Sequence, residues 1–318
     1  MSDWRPTASL AHLQDRACVL AQVREFFAQR RVLEVETPLA CLHTVTDPNI
    51  ESYSFADRSN QRYLQTSPEY AMKRLLAAGA SDIYQICKCF RQGEQGDLHN
   101  PEFTMIEWYR LGQNIEQIMQ ETVELITQVL KAFELSKQVE YVTYADLFSQ
   151  SLGVSFADLA ENDIDQICTQ HGLQSVRKFS LAQKIDFIFS HVIAAKLNSN
   201  AITCVYHYPA EQAALARLNP DDDSVADRFE VFAGGVELAN GYVELIDADI
   251  QLARFESDQL SRTNNNLTNI EIDQRLIDAQ KHGLPECAGV ALGFDRLLML
   301  ALGATSIVQV MSFSWDNA

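Results

Sequence analysis

The sequence predicts an α+β fold in which an antiparallel sheet is flanked by helices. Residues 82–91 and 102–110 are typical of two strands joined by a polar loop. Residues 228–245 form a second predicted hairpin, because a Gly-Gly pair at its centre suits a tight two-residue turn. No repeat, low-complexity segment or Gly/Ser linker interrupts the chain. We therefore predict a single domain over residues 1–318.

Helical patterns lie before and after the first strand pair. Residues 8–30 and 114–134 place leucine, valine, isoleucine and phenylalanine at helical spacing. A shorter helix is predicted to start at Ser67-Pro68-Glu69, with serine as the N-cap, proline at the first helical position and an acid in the first turn. It should end at a glycine ten residues after the acid.

The middle of the chain is less regular. Residues 136–195 show a mixture of helical segments with few motif residues, which we interpret as an insertion packed on the side of the sheet. A continuous apolar run at residues 202–208, ended by proline, predicts a buried strand.

Composition places the chain among water-soluble, cytoplasmic proteins. Hydrophobic residues make up 47% and charged residues 21% of the sequence, which is ordinary for a globular protein. We find no apolar run long enough for a membrane span and no secretory signal. The seven cysteines are scattered, with Cys87 and Cys89 as the only close pair, and we predict reduced thiols.

The net charge of −18 argues against a nucleic-acid partner. Proteins that hold a polyanion normally present a basic surface, because contacts to phosphate supply most of the affinity. This chain has no lysine or arginine cluster longer than two residues. We therefore expect that tRNA is not a partner.

The predicted hairpin of residues 228–245 carries three acids. With Gly234 and Gly235 as the turn, Glu230 and Glu237 become diagonal neighbours on one face, roughly 7–8 Å apart. Such a pair suits Mg²⁺ carried by nucleotide phosphates, although two solvated acids on an exposed hairpin fit the same geometry. Strict alternation puts Glu244 on the other face, unless a bulge at Asn240-Gly241 resets the parity.

The strand of residues 102–110 carries aromatic and acidic side chains on one face. Alternation points Phe103, Met105, Glu107 and Tyr109 the same way, and Arg91 ends the strand before it. A flat aromatic ring, acceptor groups and an arginine can together hold a purine, a cationic substrate and a phosphate.

Three segments in this order resemble the motifs of class II aminoacyl-tRNA synthetases, specifically the lysine-type branch. Residues 35–38, Val-Glu-Thr-Pro, resemble the end of motif 1, which forms the dimer interface in that family. Residues 90–94 with 99–109 resemble motif 2, and residues 289–297 resemble motif 3. The resemblance implies an ATP-dependent enzyme that forms an aminoacyl-adenylate, uses Mg²⁺ and is a homodimer.

The resemblance also implies roles for individual residues. Arg91 would bind the α-phosphate and Arg296 the γ-phosphate, and both would be catalytic. Phe103 would stack on adenine, and Glu230 and Glu237 would hold the metal. The full implied ATP site comprises Arg91, Gln92, Gly93, Glu94, Asn100, Phe103, Glu237, Leu238, Gly293 and Arg296. The synthetase pattern Arg-x-Glu is replaced here by Arg91-Gln92-Gly93-Glu94, which leaves open whether Glu94 or backbone near Gly93 contacts adenine.

The implied amino-acid pocket is acidic. Its residues would be Ser67, Pro68, Glu69, Glu107, Tyr109, Glu244 and Ala291. Lysyl-tRNA synthetases typically have glycine where this chain has Ala291, and one methyl group is worth about 1–3 kcal/mol of discrimination. We therefore expect Ala291 to bias the pocket between α-lysine and β-lysine.

The acceptor is predicted from what surrounds the motifs. Lysyl-tRNA synthetases carry a β-barrel domain before motif 1, whereas motif 1 here begins near residue 20. In this the chain resembles the ligases that attach (R)-β-lysine to a lysine side chain of elongation factor P. Two alternatives remain: an adenylate-forming enzyme with another acceptor, such as tRNA or a small molecule, and a non-catalytic regulatory relative.

Overall fold

The computed structural model describes residues 4–58 and 60–318. Its α-helices are α1 (Leu10–Gln29), α2 (Glu69–Ala77), α3 (Ile115–Lys131), α4 (Tyr144–Leu152), α5 (Glu161–Gln170), α6 (Leu181–Ile188), α7 (Ala248–Asn264), α8 (Gln274–Gly283) and α9 (Phe294–Ala301). Its strands are β1 (Leu33–Glu34), β2 (Ala40–Cys41), β3 (Ser54–Asp57), β4 (Asn60–Leu64), β5 (Ile83–Phe90), β6 (Glu102–Leu111), β7 (Gln138–Thr143), β8 (Ala201–Pro209), β9 (Val225–Ala233), β10 (Val236–Val243) and β11 (Cys287–Gly293).

Within these ranges the strands form two sheets. The large sheet has the order β1-β5-β6-β11-β10-β9-β8-β7, and a small sheet has the order β2-β4-β3. In the large sheet β1 runs parallel to β5 and β7 parallel to β8, while the neighbours between them are antiparallel. A mostly antiparallel sheet flanked by helices confirms the predicted fold class.

The two faces of strand β6 have different surroundings. Ile106 and Trp108 are fully buried in the main hydrophobic core, together with residues of α1, α3 and α9. Met105, Glu107 and Tyr109 point to the other face, where they line a large cleft. The alternation predicted from the sequence is therefore confirmed, and it separates the core from the cleft.

Helix α2 begins one residue later than predicted. Pro68 is the residue before the helix and makes no capping hydrogen bond with its side chain. The hydroxyl of Ser67 instead accepts a hydrogen bond from the backbone N–H of Glu69, at 3.1 Å. At the other end Gly79 has a φ of +95°, the left-handed conformation that glycine adopts readily after a helix.

Residues 136–195 include a strand that the sequence patterns did not reveal. Strand β7 pairs in parallel with β8 and extends the large sheet at its edge. The helices α4, α5 and α6 that follow pack around a cluster containing Tyr144, Phe148 and Phe189. The prediction of helical segments alone was therefore wrong for β7, a short edge strand of six residues of which the first four are exposed.

The β9–β10 hairpin has the predicted register near its turn. Gly234 and Gly235 both have positive φ angles, 63° and 78°, as a tight two-residue turn requires. Phe232 lies opposite Glu237. The register then shifts between Glu237 and Ala239, which marks a β-bulge within β10.

Candidate active site

A cleft of about 1290 Å³ opens on the sheet face that carries Glu107 and Ala291. Strands β6, β11 and β10 form its floor, and α2 and α7 contribute walls. It brings together predicted site residues that are far apart in the sequence. On its wall lie Ser67, Glu69, Arg91, Glu94, Asn100, Phe103, Glu107, Tyr109, Glu230, Glu237, Leu238, Glu244, Ala291, Gly293 and Arg296.

Three predicted site residues lie elsewhere. Pro68, Gln92 and Gly93 are not on the cleft wall. Gln92 and Gly93 are exposed, and the backbone N–H of Gln92 donates to the carbonyl oxygen of Glu51, at 2.8 Å. Glu94 does face the cleft, so of the two alternatives for the adenine contact the geometry favours Glu94.

Asn100 lies on the cleft wall and is held by two hydrogen bonds. Its amide nitrogen donates to the carbonyl oxygen of Glu102, at 2.6 Å. Its amide oxygen accepts from the backbone N–H of Trp315, at 3.0 Å. These bonds hold the motif 2 loop against the C-terminal segment, and the second amide N–H leaves the predicted ATP contact open.

Arg91 and Phe103 contact each other across the motif 2 hairpin. The guanidinium carbon of Arg91 lies 5.3 Å from the centre of the Phe103 ring, within the range of a cation–π contact. Arg91 also lies 3.7 Å from the carboxylate of Glu94, and its buried Nε has no hydrogen-bond partner. An aromatic platform beside an incompletely paired arginine suits a nucleotide.

Arg296 is fixed at the other end of the cleft. Its guanidinium donates to the carbonyl oxygens of Leu98, at 3.2 Å, and Glu237, at 2.9 Å. A third N–H lies 2.6 Å from Nε2 of His99. Burial and the neighbouring Arg296 lower the pKa of His99. The imidazole is therefore neutral at neutral pH, and its Nε2 accepts the hydrogen bond from the arginine.

The acids proposed as metal ligands both face the cleft, but each has a cationic neighbour. Glu230 accepts from the hydroxyl of Tyr208, at 2.7 Å, and from Arg228, at 2.5 Å. Glu237 lies 3.7 Å from Arg296. Burial raises the pKa of Glu230 to about 7; Arg228 lowers it, and the nearby Glu237 raises it again.

This pair fits Mg²⁺ that arrives with a nucleotide. In the described ranges no group of three or more His, Cys, Asp or Glu residues could hold a metal alone. Mg²⁺ typically takes one or two protein carboxylates together with phosphate oxygens, and Glu230 and Glu237 can supply two. A cation beside them would also favour the ionised form of Glu230.

The bulge in β10 explains how Glu244 reaches the same cleft as Glu237. After the bulge Asn240 lies opposite Glu230, and Tyr242 lies opposite Arg228. The extra residue shifts the alternation by one, so that even-numbered side chains take the face that Glu237 occupies before the bulge. Asn240, Tyr242 and Glu244 then all line the cleft. A reset of parity was predicted as one alternative, but it occurs at Glu237–Ala239 and not at Asn240-Gly241.

Gly241 has a packing role in place of the predicted bend. A Cβ atom at this position would lie 2.4 Å from the ring of Phe229 and 3.0 Å from the carbonyl oxygen of Gly289. The position therefore requires glycine because neighbouring groups fill the space.

Two carboxylates of the cleft flank a buried lysine that sequence reasoning missed. The ammonium group of Lys73 lies 2.6 Å from Glu69 Oε1 and 2.6 Å from Glu244 Oε2. The Lys73 side chain is 1% exposed. Burial lowers its pKa, but Glu244 and Glu69 together raise it above the usual value. The lysine therefore stays charged.

Glu107 is the third acid of this pocket. It accepts hydrogen bonds from the hydroxyls of Ser67 and Tyr109, each at 2.8 Å. Burial raises its pKa well above the usual value, Glu69 raises it further, and the two hydroxyls oppose this effect. Burial likewise raises the pKa of Glu244 to about 7, although Lys73 lowers it. Both groups would ionise more readily beside a bound ammonium.

The floor of the acidic pocket leaves little free space. A Cβ atom at Gly289 would lie 2.5 Å from both Glu244 Oε1 and the Tyr109 ring, so glycine is required for these side chains to take their positions. Ala291 lies opposite Glu107 on one side and Asn240 on the other. Its methyl group is therefore next to the groups that define the pocket.

A buried ion pair links the N-terminal helix to motif 3. Arg16 in α1 donates to Asp295, at 2.6 Å, and to the hydroxyl of Thr104, at 2.7 Å. Asp295 also accepts from the backbone N–H of Thr104. These contacts hold α1, β6 and α9 together directly beneath Arg296. The sequence contained Arg16 and Asp295, but nothing local to either residue identified its partner.

Comparison with known families agrees with this geometry. The family described as tRNA synthetases class II (D, K and N) matches residues 1–317. This chain belongs to the class II aminoacyl-tRNA synthetase family. Membership of this family makes the chain an ATP-dependent ligase.

Three similar proteins share one name. A protein of Vibrio cholerae called elongation factor P–(R)-β-lysine ligase is 45% identical, over 100% of this chain and 99% of its own length. A protein of the same name from Haemophilus ducreyi is 41% identical, over 99% of this chain and 97% of its own length. Another from Pectobacterium carotovorum is 42% identical, over 100% of this chain and 99% of its own length. The predicted resemblance is confirmed.

Other sequence predictions concern the surroundings of the site. In the described ranges no helix has both the length and the apolar character needed to cross a membrane. All seven cysteines lie in those ranges and carry free thiols, in agreement with the prediction. Cys87 and Cys89 lie 3.9 Å apart, sulfur to sulfur, beside Met105 on the cleft face of the sheet.

Proposed function

We propose that this chain activates (R)-β-lysine with ATP and transfers it to a lysine side chain of elongation factor P. One observation carries the proposal: a buried pocket of three carboxylates lies in the same cleft as two arginines and an acid pair. The carboxylates suit the amino groups of a diamino acid, and the arginines suit a triphosphate. The names of the relatives support the identity of both substrates.

In the first step the substrate carboxylate attacks the α-phosphorus of ATP. A carboxylate oxygen–phosphorus bond forms, the bond between the α- and β-phosphates breaks, and pyrophosphate leaves. Arg91 and Arg296 stabilise the negative charge that develops, and Glu230 and Glu237 would hold the Mg²⁺ that neutralises the phosphates. The chain supplies no covalent nucleophile in this scheme, so catalysis rests on positioning and electrostatics.

In the second step the side-chain amine of the acceptor lysine attacks the acyl carbon of the adenylate. An amide bond forms, AMP leaves with the bond electrons, and the attacking amine loses its proton. The net charge of −18 supports a protein acceptor over tRNA. In this proposal the enzyme works in the cytoplasm, where elongation factor P and ATP occur together.

Pyrophosphate exchange tests the first step without any acceptor. We expect exchange of labelled pyrophosphate into ATP that depends on β-lysine, with a weaker response to α-lysine. A chain that binds a lysine but catalyses no exchange would indicate a regulatory relative instead. Intact Arg91, Glu230, Glu237 and Arg296 argue against that alternative, because a regulator has no use for the complete phosphate and metal set.

We also propose that the chain forms a two-fold symmetric dimer through its motif 1 region. Leu10, Leu33 and Leu39, on or just after α1, are 73%, 54% and 41% exposed. Exposed apolar side chains along this region suit an isologous contact. We predict a dimer mass by light scattering at micromolar concentration. A monomer mass under these conditions would contradict the proposal.

A further inference from the structure

Lys73 lies behind the acidic pocket and not on the cleft wall. Its side chain reaches from α2 to two acids, Glu69 on the same helix and Glu244 just after β10. Both acids face the cleft, whereas Lys73 is 1% exposed. A single ammonium group therefore fixes two carboxylates that come from separate parts of the fold.

The contact leaves hydrogen-bonding capacity directed toward a ligand. Lys73 donates to Glu69 with good hydrogen-bond geometry. The contact with Glu244 is equally short, 2.6 Å to Oε2, so Lys73 engages one oxygen of each carboxylate. Each carboxylate has a second oxygen, and an ammonium group entering the pocket can donate to it.

We propose that Lys73 is a positioning residue that sets the charge of the pocket to match a substrate with two ammonium groups. With its acids ionised, the pocket contains Glu69, Glu107 and Glu244 against one lysine, a net charge of −2. Two ammonium groups of a diamino acid balance this charge. The inference deepens the function proposed above and rests on it for the identity of the substrate.

The alternative is that Lys73 only stabilises the fold. Buried ion pairs are often weak contributors to stability, and an apolar residue of similar size can replace them. Lys73→Met alone, however, would leave Glu69, Glu107 and Glu244 without their cation and change the net charge of the pocket from −2 to −3. The pocket would then retain protons, and the pH dependence of amino-acid binding separates the two roles.

The sign of the pH effect follows from the groups around Lys73. These are Glu69 from α2, Glu107 and Tyr109 from β6, Glu244 after β10, and Cys287 of β11, whose pKa is raised by burial and by Glu244. The pKa of Glu244 is raised by burial to about 7, although Lys73 lowers it, so in the empty protein its protonated form predominates only below about pH 7. Binding of an ammonium needs the carboxylate form, and therefore strengthens as pH rises through about 7 and releases protons.

Removing the lysine should move this dependence upward. Without the cation the pKa of Glu244 rises further, because Lys73 is the group that lowers it. In a plot of kcat/KM for the amino acid against pH, the fall at low pH is the acid limb. For Lys73→Met we expect this acid limb to move up by about one pH unit or more. KM for the amino acid should rise about tenfold or more. KM for ATP should change little. Lys73→Arg keeps the charge and should keep the acid limb near its original position.

A double variant tests the charge count itself. Glu69→Gln combined with Lys73→Met removes one acid and one cation, which returns the net charge to −2, and the acid limb should move back toward the wild-type position. Lys88→Met is the matched control, because Lys88 forms a surface pair with Glu102 at 3.3 Å, with both side chains 40% exposed. This control should leave the pH profile unchanged.

Calorimetry and thermal melting decide the remaining outcomes. Binding of β-lysine and α-lysine without ATP, in buffers of different ionisation enthalpy, counts the protons released, and Lys73→Met should release more. An unchanged acid limb and unchanged proton release in a folded Lys73→Met protein would overturn the proposal. If Lys73→Met does not fold, the double variant Glu69→Gln with Lys73→Met decides the proposal. An acid limb near the wild-type position supports the charge role of Lys73, and a shifted limb overturns it.

The same measurements separate this inference from the proposed function. If wild-type protein binds neither lysine, the proposed function fails. The charge role of Lys73 is then tested by melting temperature against pH. Lys73→Met should lose most stability relative to wild type above pH 7, where Glu244 and Glu107 must ionise without a cation. A drop in melting temperature that is equal at every pH would overturn the charge role of Lys73.

Discussion

Glu237→Gln is expected to reduce ATP–pyrophosphate exchange about a hundredfold or more at ordinary Mg²⁺ concentrations, the loss typical of removing one preorganised group that stabilises developing charge. Glutamine keeps the size of the side chain but is a poor ligand for Mg²⁺. Because the Glu237 side chain is 42% exposed, the fold should be unaffected. Exchange is measured together with melting temperature.

Glu230→Gln should also abolish exchange, but with a cost in stability. Glu230 pairs with Arg228, whose side chain is only 16% exposed, and breaking a buried pair by removing one partner costs about 3 kcal/mol. Glu102→Gln, which removes a surface acid outside the cleft, is the matched control and should behave as wild type. Normal exchange in Glu237→Gln and in folded Glu230→Gln would contradict the metal role of these acids.

Ala291→Gly is expected to raise kcat/KM for α-lysine by about ten- to a hundredfold, the range that one methylene-sized contact controls. Ala291 lies between Glu107 and Asn240 on the cleft floor. Removing its methyl group opens space for an amine displaced by one carbon. The value for β-lysine should be unchanged or slightly lower. Adenylate formation is measured with both substrates.

Ala288→Gly provides the control for this change. Ala288 is on the same strand but fully buried in the core, so its replacement has the same backbone cost without touching the cleft. It should lower stability and leave the substrate ratio unchanged. An unchanged ratio in Ala291→Gly as well would show that selectivity resides elsewhere, for example at Ser67.

Local patterns were sufficient for most of the central sheet. The alternation in β6 predicted which side chains face the cleft, and the Gly234-Gly235 turn predicted the register at the start of the β9–β10 hairpin. Both features depend on residues that are close in sequence. Strand β7 was missed because it is short and mostly exposed, and its partner β8 lies some sixty residues later.

The residues missed in the site share one cause. Lys73 looks like an exposed cation on a short helix, and only the arrival of Glu244 from the end of β10 makes it the centre of a buried ion pair. The required glycine at position 289 depends on Tyr109 and Glu244, which come from two other strands. Long-range packing determines such sites, and a single sequence does not show it.

The bulge in β10 illustrates a third limit. Asn240-Gly241 carried the local signal for an irregularity, yet the register shifts at Glu237–Ala239, and Gly241 instead makes room for the Phe229 ring. Local composition identified the hairpin in which parity is reset, but tertiary packing determined the residue.

The most direct test of the proposed function is mass analysis of elongation factor P after incubation with this protein, ATP, Mg²⁺ and β-lysine. Elongation factor P should gain the mass of one β-lysyl group on a lysine side chain, and tRNA in a parallel reaction should remain uncharged. Omission of ATP, or the Glu237→Gln variant, should abolish the modification. Unmodified elongation factor P, together with β-lysine-dependent pyrophosphate exchange or with charged tRNA, would contradict the proposed acceptor.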